Sequence, residues 1–147
     1  PACLPMRKRK GDSMSELHPA LAAFAAQRTS EFTALVGIEF AAIDRGSCTL
    51  RLPIGDKHFN STKRVHGGVV FTLLDSAMGA AAFSVLEAHE STATIECKIN
   101  YTRAVVGGEL ECTGKVVHAG TRTIVVDGEV WQDGALVAKC LGTFARL

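Results

Sequence analysis

Residues 69–86 constrain the fold more than any other part of the chain. The stretch is 18 residues long and 13 of them are apolar, with Thr72, Asp75, Ser76 and Ser84 as its polar members. Its length and alanine content favour a helix over a strand. A helix that is apolar nearly all round is either buried on most sides or spans a membrane. This one only just reaches the length a bilayer needs. Asp75 near its middle would cost about 2.5–3.5 kcal/mol on insertion scales. The sequence therefore predicts a central, buried helix that other elements must cover.

Strands supply the cover. Residues 38–43 and Ser47–Pro53 read as two strands joined around Asp44-Arg45-Gly46, and in the second Cys48, Leu50 and Leu52 alternate with Ser47, Thr49 and Arg51. Four more follow the helix, at Thr92–Tyr101, Glu109–Ala119, 121–131 and Ala135–Arg146. In the last, Leu136, Ala138, Cys140 and Phe144 alternate with Val137, Lys139 and Thr143. A period of two with one apolar face is the pattern of a half-buried strand. Gly107-Gly108, Ala119-Gly120 and Asp133-Gly134 supply turns. These four strands read as an antiparallel meander with one wet face. The predicted class is α+β, a long central helix wrapped by a curved antiparallel sheet of five to six strands. A first helix is predicted over residues 18–34, with Leu17, Leu21, Phe24 and Leu35 as apolar positions.

The 147 residues suit one domain, read over 15–147. Residues 1–14 carry the run Arg7-Lys8-Arg9-Lys10 and read as a disordered basic leader or added extension. Without that segment the chain holds 12 bases against 14 acids. An acidic body argues against nucleic acid as the partner. The five cysteines (Cys3, Cys48, Cys97, Cys112, Cys140) are odd in number and form no Cys-x-x-Cys pair. They read as reduced, buried thiols of a cytoplasmic protein. His18, His58, His66, His89 and His118 show no metal-ligand spacing, so neither metal nor cofactor is expected.

Chemistry concentrates between Asn60 and Asp75. Gly67 and Gly68 stand where loop becomes helix. Free N–H groups at a helix start point outward with the positive end of the dipole, and glycine lets a carbonyl approach. Such a place can stabilise an oxyanion, although the two glycines would equally serve a tight turn. Asp75 on an apolar helix is either a satisfied structural carboxylate or a functional one. Asn60 alone suits a turn, and His66 alone suits a helix start. From Gly67 to Asp75 a helix rises about 12 Å and turns through about 80°. One chain thus cannot readily bring both groups to one carbonyl, whereas two antiparallel helices from different subunits can. This predicts an active site shared across a homodimer interface.

Asn60, His66-Gly67-Gly68 and Asp75, followed by an alanine-rich helix and an antiparallel sheet, resemble the hotdog-fold acyl-CoA thioesterases of the phenylacetate-degradation (PaaI) type. The resemblance spans roughly residues 30–147. It implies a hotdog fold, homodimers often paired into homotetramers, and hydrolysis of an acyl-CoA. By position, Asp75 resembles the family's general base or nucleophile, and Gly67 the donor that polarises the thioester carbonyl. Asn60 and His66 resemble the residues that order the water and the loop. Gly68 falls at the substrate approach, and Thr94 where some members hold the water with a Ser or Thr. Arg122, in Gly120-Thr121-Arg122-Thr123, resembles a base that meets the CoA phosphates; a solvated surface arginine is its plainer reading. Thr102-Arg103-Ala104 departs from the family's Leu-Arg-Pro. Residues 79–83 are candidates to shape the acyl pocket, or to pack helices at a dimer. The competing class is a non-catalytic acyl-CoA-binding or regulatory module on the same fold. A hotdog hydratase or dehydratase is a third reading, disfavoured because His66 precedes the helix.

Overall fold

The computed structural model describes residues 30–147. Elements run α1 (Glu31–Val36), β1 (Glu39–Asp44), β2 (Ser47–Pro53), a 3-10 turn (Asp56–His58), α2 (Gly67–Phe83), β3 (Thr92–Tyr101), β4 (Glu109–Ala119), β5 (Thr123–Gln132) and β6 (Ala135–Arg146). The six strands form one antiparallel sheet in the order β1-β2-β4-β5-β6-β3, which wraps α2. The basic leader, Cys3 and residues 18–29 of the expected first helix lie outside the described residues.

Helix α2 starts at Gly67, where the sequence places the change from loop to helix, and His66 caps it: Gly68 N–H donates to His66 Nδ1 at 2.9 Å. It ends at Phe83, where the buried Ser84 hydroxyl donates to Ala81 O at 2.7 Å and accepts Gly46 N–H at 2.6 Å. That one hydroxyl ties the helix end to the β1–β2 turn. Between its ends the helix lies almost on the sheet. A Cβ added at Gly114 of β4 would stand 2.6 Å from Ala77 O, and one at Gly128 of β5 would stand 2.5 Å from Met78 Sδ. Glycine at these paired positions removes the side-chain layer, so helix and sheet backbones approach closely. Leu74 and Met78 then pack into Leu110, Ile124, Val126 and Phe144, all essentially inaccessible to water. Each such side chain contributes about 1.5–3 kcal/mol of burial.

Three expectations need correction. A helix running through residue 34 fails at Ser30, whose backbone is extended (φ −65°, ψ 158°) and whose hydroxyl caps α1 by accepting Thr33 N–H. Leu35 is accordingly 69% exposed and no part of the core. The meander holds for β4-β5-β6 only. Strand β2 occupies the edge of β4 from Ser47↔Lys115 to Pro53↔Glu109, so β3 crosses to pair with β6 at the far side. Val137, read as outward, is buried, because the β5–β6 register skips it between Val130↔Ala138 and Trp131↔Leu136.

Cys48, Cys97, Cys112 and Cys140 all lie in strands as free thiols. Burial pushes Cys48 up to about 12 and Cys112 higher still, which keeps both thiols neutral and unreactive. Among the described residues no helix is long and apolar enough to cross a membrane.

Candidate active site

The loop before α2 is built to present its first residue. The Asn60 side-chain oxygen accepts Thr62 N–H (2.9 Å), the Thr62 hydroxyl (2.8 Å) and Arg64 N–H (3.1 Å). Val65 N–H and His66 N–H then donate to Val105 O and His58 O. Gly68 N–H is taken by the His66 ring. Among the described residues the Gly67 N–H meets no acceptor. The Tyr101 hydroxyl donates to Gly67 O at 2.9 Å, and a Cβ on Gly67 would lie 3.3 Å from that hydroxyl oxygen. The Gly67–Gly68 peptide is therefore held at its carbonyl by Tyr101 and at its N–H by His66, with the preceding N–H left over. Gly67, Asn60, Arg64, Tyr101 and Arg103 line a hollow of about 350 Å³.

Asp75 belongs to a different place. It is half-buried, and its Oδ1 accepts the Thr94 hydroxyl at 2.9 Å and the Cys97 thiol at 3.7 Å. It opens on a cleft of about 460 Å³ lined along α2 by Asp75, Ser76, Gly79 and Phe83, and opposite by Phe40, Thr94 and Phe144. These α2 positions recur at helical spacing, so one helix face carries a carboxylate and then an apolar trough. Asp75 is the only charged residue in that lining.

The structure thus brings Asn60, His66, Gly67 and Gly68 together, and separately Asp75 with Thr94. Thr94 borders the cleft and Tyr101 the hollow, seven residues apart along β3, or about 23 Å at strand rise. Arg122 lines neither. It is exposed on the β4–β5 turn, and its carbonyl accepts Arg146 N–H at 2.9 Å. Arg146 pairs with Thr92, so the turn sits at the Asp75 end of β3. Sequence reasoning missed Tyr101, Cys97, Arg64 and Arg103. Tyr101 and Cys97 act through contacts 34 and 22 residues away in the chain, for which no local signal exists. Among the described residues no cluster of three His, Cys, Asp or Glu side chains is placed to hold a metal ion.

Similarity to known proteins runs the length of this arrangement. A family model described as thioesterase superfamily matches residues 62–139. A provisionally named esterase of Saccharolobus solfataricus is 31% identical over 133 residues, covering 90% of this chain and 84% of the relative. The acyl-coenzyme A thioesterase PaaI of Escherichia coli is 30% identical over 96 residues, 65% of this chain and 66% of PaaI. The solved structure of the E. coli PaaI protein superposes with a TM-score of 0.76 at 26% identity, over 86% of this chain and 96% of that one. A conserved Pseudomonas aeruginosa protein of solved structure is 43% identical with a TM-score of 0.79, over 83% of this chain and 98% of that one.

Proposed function

Because the chain belongs to the thioesterase superfamily and has the hotdog fold, we propose that it hydrolyses an acyl-CoA thioester to a free acid and CoA. The observation that carries this reading is Asp75, held by Thr94, as the one charged residue lining a mostly apolar cleft. The acyl group fills the cleft. Asp75 either takes the proton of an attacking water or attacks the carbonyl itself, and both roles need its charged form. Thr94 orders the carboxylate and the water. Charge that develops on the carbonyl oxygen meets the N–H of the partner subunit's Gly67. In the base route collapse breaks the carbon–sulfur bond and expels the CoA thiolate, which takes the proton from Asp75. In the nucleophile route the same collapse leaves a mixed anhydride on Asp75, which water hydrolyses to the free acid, its proton going to the thiolate. The free thiols on the strands suit a reducing cytoplasm.

The shared site follows from the edge strand. Strand β3 ends the sheet, with Ile95 57% and Tyr101 51% exposed. A ten-residue unpaired edge invites pairing. A two-fold axis near its middle pairs β3 antiparallel with its own copy. The Thr94 end of one subunit then lies beside the Tyr101 end of the other, and the two half-sites meet in a homodimer, itself able to pair into a homotetramer. Asn60 and His66 hold the loop that offers Gly67, Gly68 leaves room for the thioester, and Arg122 is the first candidate for the CoA phosphates.

Purified protein should release free thiol from members of a panel of aryl-acetyl-, hydroxyaryl- and medium-chain acyl-CoAs. Asp75→Ala should lower the rate by about 10²–10⁴. An Asp75→Ala variant of full activity would sink the assignment, and tight acyl-CoA binding without turnover in the wild type would favour the binding-module reading.

A further inference from the structure

Cys97 and Thr94 reach the same carboxylate oxygen, yet they are three residues apart in one strand. In a regular strand, residues an odd number apart point to opposite faces. Here the β3–β6 register runs Thr94↔Phe144, Glu96↔Thr143, Cys97↔Gly142 and skips Ile95. Phe144 is buried against the core, so Thr94 shares the inner face. Glu96 stays on the outer face, where it accepts the Thr143 hydroxyl at 2.6 Å. Gly142, two residues from Phe144, returns Cys97 to the inner face. The extra residue Ile95 is pushed outward. This bulge alone allows both donors to meet Asp75.

Gly142 makes the room. A Cβ there would lie 2.9 Å from Cys97 Sγ and 2.6 Å from the Met78 methyl. With no side chain in the way, the thiol lies over the strand and reaches toward Asp75. Burial, with Cys140 and Asp75 adding to it, pushes the Cys97 thiol up to about 12. The sulfur therefore keeps its proton across the working range and is suited to donate rather than to attack.

We propose that Cys97 is a positioning residue for the hydrolytic reaction: placed by the Ile95 bulge over Gly142, its S–H donates to Asp75 Oδ1 beside Thr94 and fixes the orientation of that carboxylate. The inference rests on Asp75 acting as the proposed base or nucleophile. With two donors on Oδ1, the other oxygen is left to face water and carbonyl. The titratable groups facing Asp75 are Cys97 from β3 and, through Cys97, the buried Cys140 of β6, whose own thiol is pushed up mainly by burial. The cleft's other walls contribute Thr33, Ile38, Phe40, Leu50 and Phe144, none of which titrates.

The test compares wild type, Cys97→Ala, Cys97→Ser and Asp75→Asn on the most active acyl-CoA of the panel. Cys97→Ala should lower kcat about fivefold, with KM nearly unchanged, because one weak donor to a charged group is lost. Cys97→Ser restores a donor and should return kcat toward its wild-type value. A residue that only fills space would change the melting temperature and leave kcat where it was. Infrared spectroscopy gives a second readout that needs no turnover. The Cys97 S–H stretching band, identified by its loss in Cys97→Ala, should shift in Asp75→Asn. An inactive Asp75→Asn together with a Cys97→Ala kcat identical to wild type overturns the role of Cys97 and leaves the hydrolase reading standing. A fully active Asp75→Asn overturns the role of Asp75 instead, and with it the premise of this inference. An S–H band insensitive to position 75 also removes Cys97 from the carboxylate.

Discussion

The two hollows beside β3 differ in their charged residues and in position. The Asp75 cleft is mostly apolar, with Thr33, Ser76, Thr92 and Thr94 also on its walls and Asp75 as its one charged residue. The Gly67 hollow is lined by Asn60, Arg64, Tyr101 and Arg103 together with Val65, Val70 and Val105. On the proposed reading neither hydrolyses a thioester alone, because one lacks an oxyanion donor and the other lacks a base. That reading puts the acyl group in the first and the carbonyl oxygen and CoA stem in the second. It also makes the unpaired sheet edge the place where two copies would each complete the other.

Among substitutions that leave Asp75 in place, breaking the Gly67 half should have the largest effect. Proline is accepted at the first position of a helix, where its missing N–H is not needed for the helix itself. His66 already has the extended backbone that a following proline requires (φ −63°, ψ 133°). Gly67→Pro should therefore fold, with Tyr101 yielding slightly to the new ring, and kcat should fall by about 10²–10³. Unchanged kcat in a folded Gly67→Pro protein would remove this N–H from the mechanism. Mixing Gly67→Pro with Asp75→Asn subunits sharpens the result. Each mixed dimer holds one site with both groups intact, so about half of wild-type activity should return. No recovery in verified mixed dimers would place both groups in one subunit.

The Asp75 cleft is probed by filling it. A Cβ on Gly79 would meet Phe144 at 3.7 Å, an ordinary contact, so a side chain fits and projects into the trough. Gly79→Val also replaces a poor helix former, and the melting temperature should hold or rise. The kcat/KM ratio of octanoyl-CoA to acetyl-CoA should fall about 10–200-fold per methylene-sized loss of fit. A ratio unchanged by the substitution would move the acyl chain out of this cleft.

The same comparison shows what the sequence could convey. Helix α2 and all six strands were legible because periodicity records which side of an element meets the core. Asn60, His66, Gly67 and Asp75 were legible as candidates because their spacing follows one loop and one helix. The order of strands was not, since alternation names a face and never a neighbour, which is why β3 was placed beside β4. The skip at Ile95 was invisible for the same reason, and with it the contact between Cys97 and Asp75; Cys97 read as one more buried thiol. The division into two hollows was partly legible: helix geometry alone separates Gly67 from Asp75, whereas Tyr101, Arg64 and Arg103 join the second hollow only through tertiary contacts.

Arg122 gives the smallest expected effect and the finest test of where CoA leaves the site. It stands on an exposed turn at the Asp75 end of β3, while Arg64 and Arg103 flank the Gly67 hollow. In the paired arrangement these two ends meet, so bases from both subunits border one exit. An exposed arginine on a phosphate contributes about 0.2–1 kcal/mol, and Arg122→Ala should raise KM for an acyl-CoA about two- to fivefold at low ionic strength. Added salt should shrink the difference. The matching acyl-pantetheine thioester, which lacks the nucleotide phosphates, should show no change. If KM for the acyl-CoA is also unchanged, and Arg64→Ala with Arg103→Ala raises it instead, the phosphates lie over the Gly67 hollow. The CoA would then be held almost wholly by the subunit that supplies the oxyanion donor, and the acyl group wholly by the subunit that supplies Asp75.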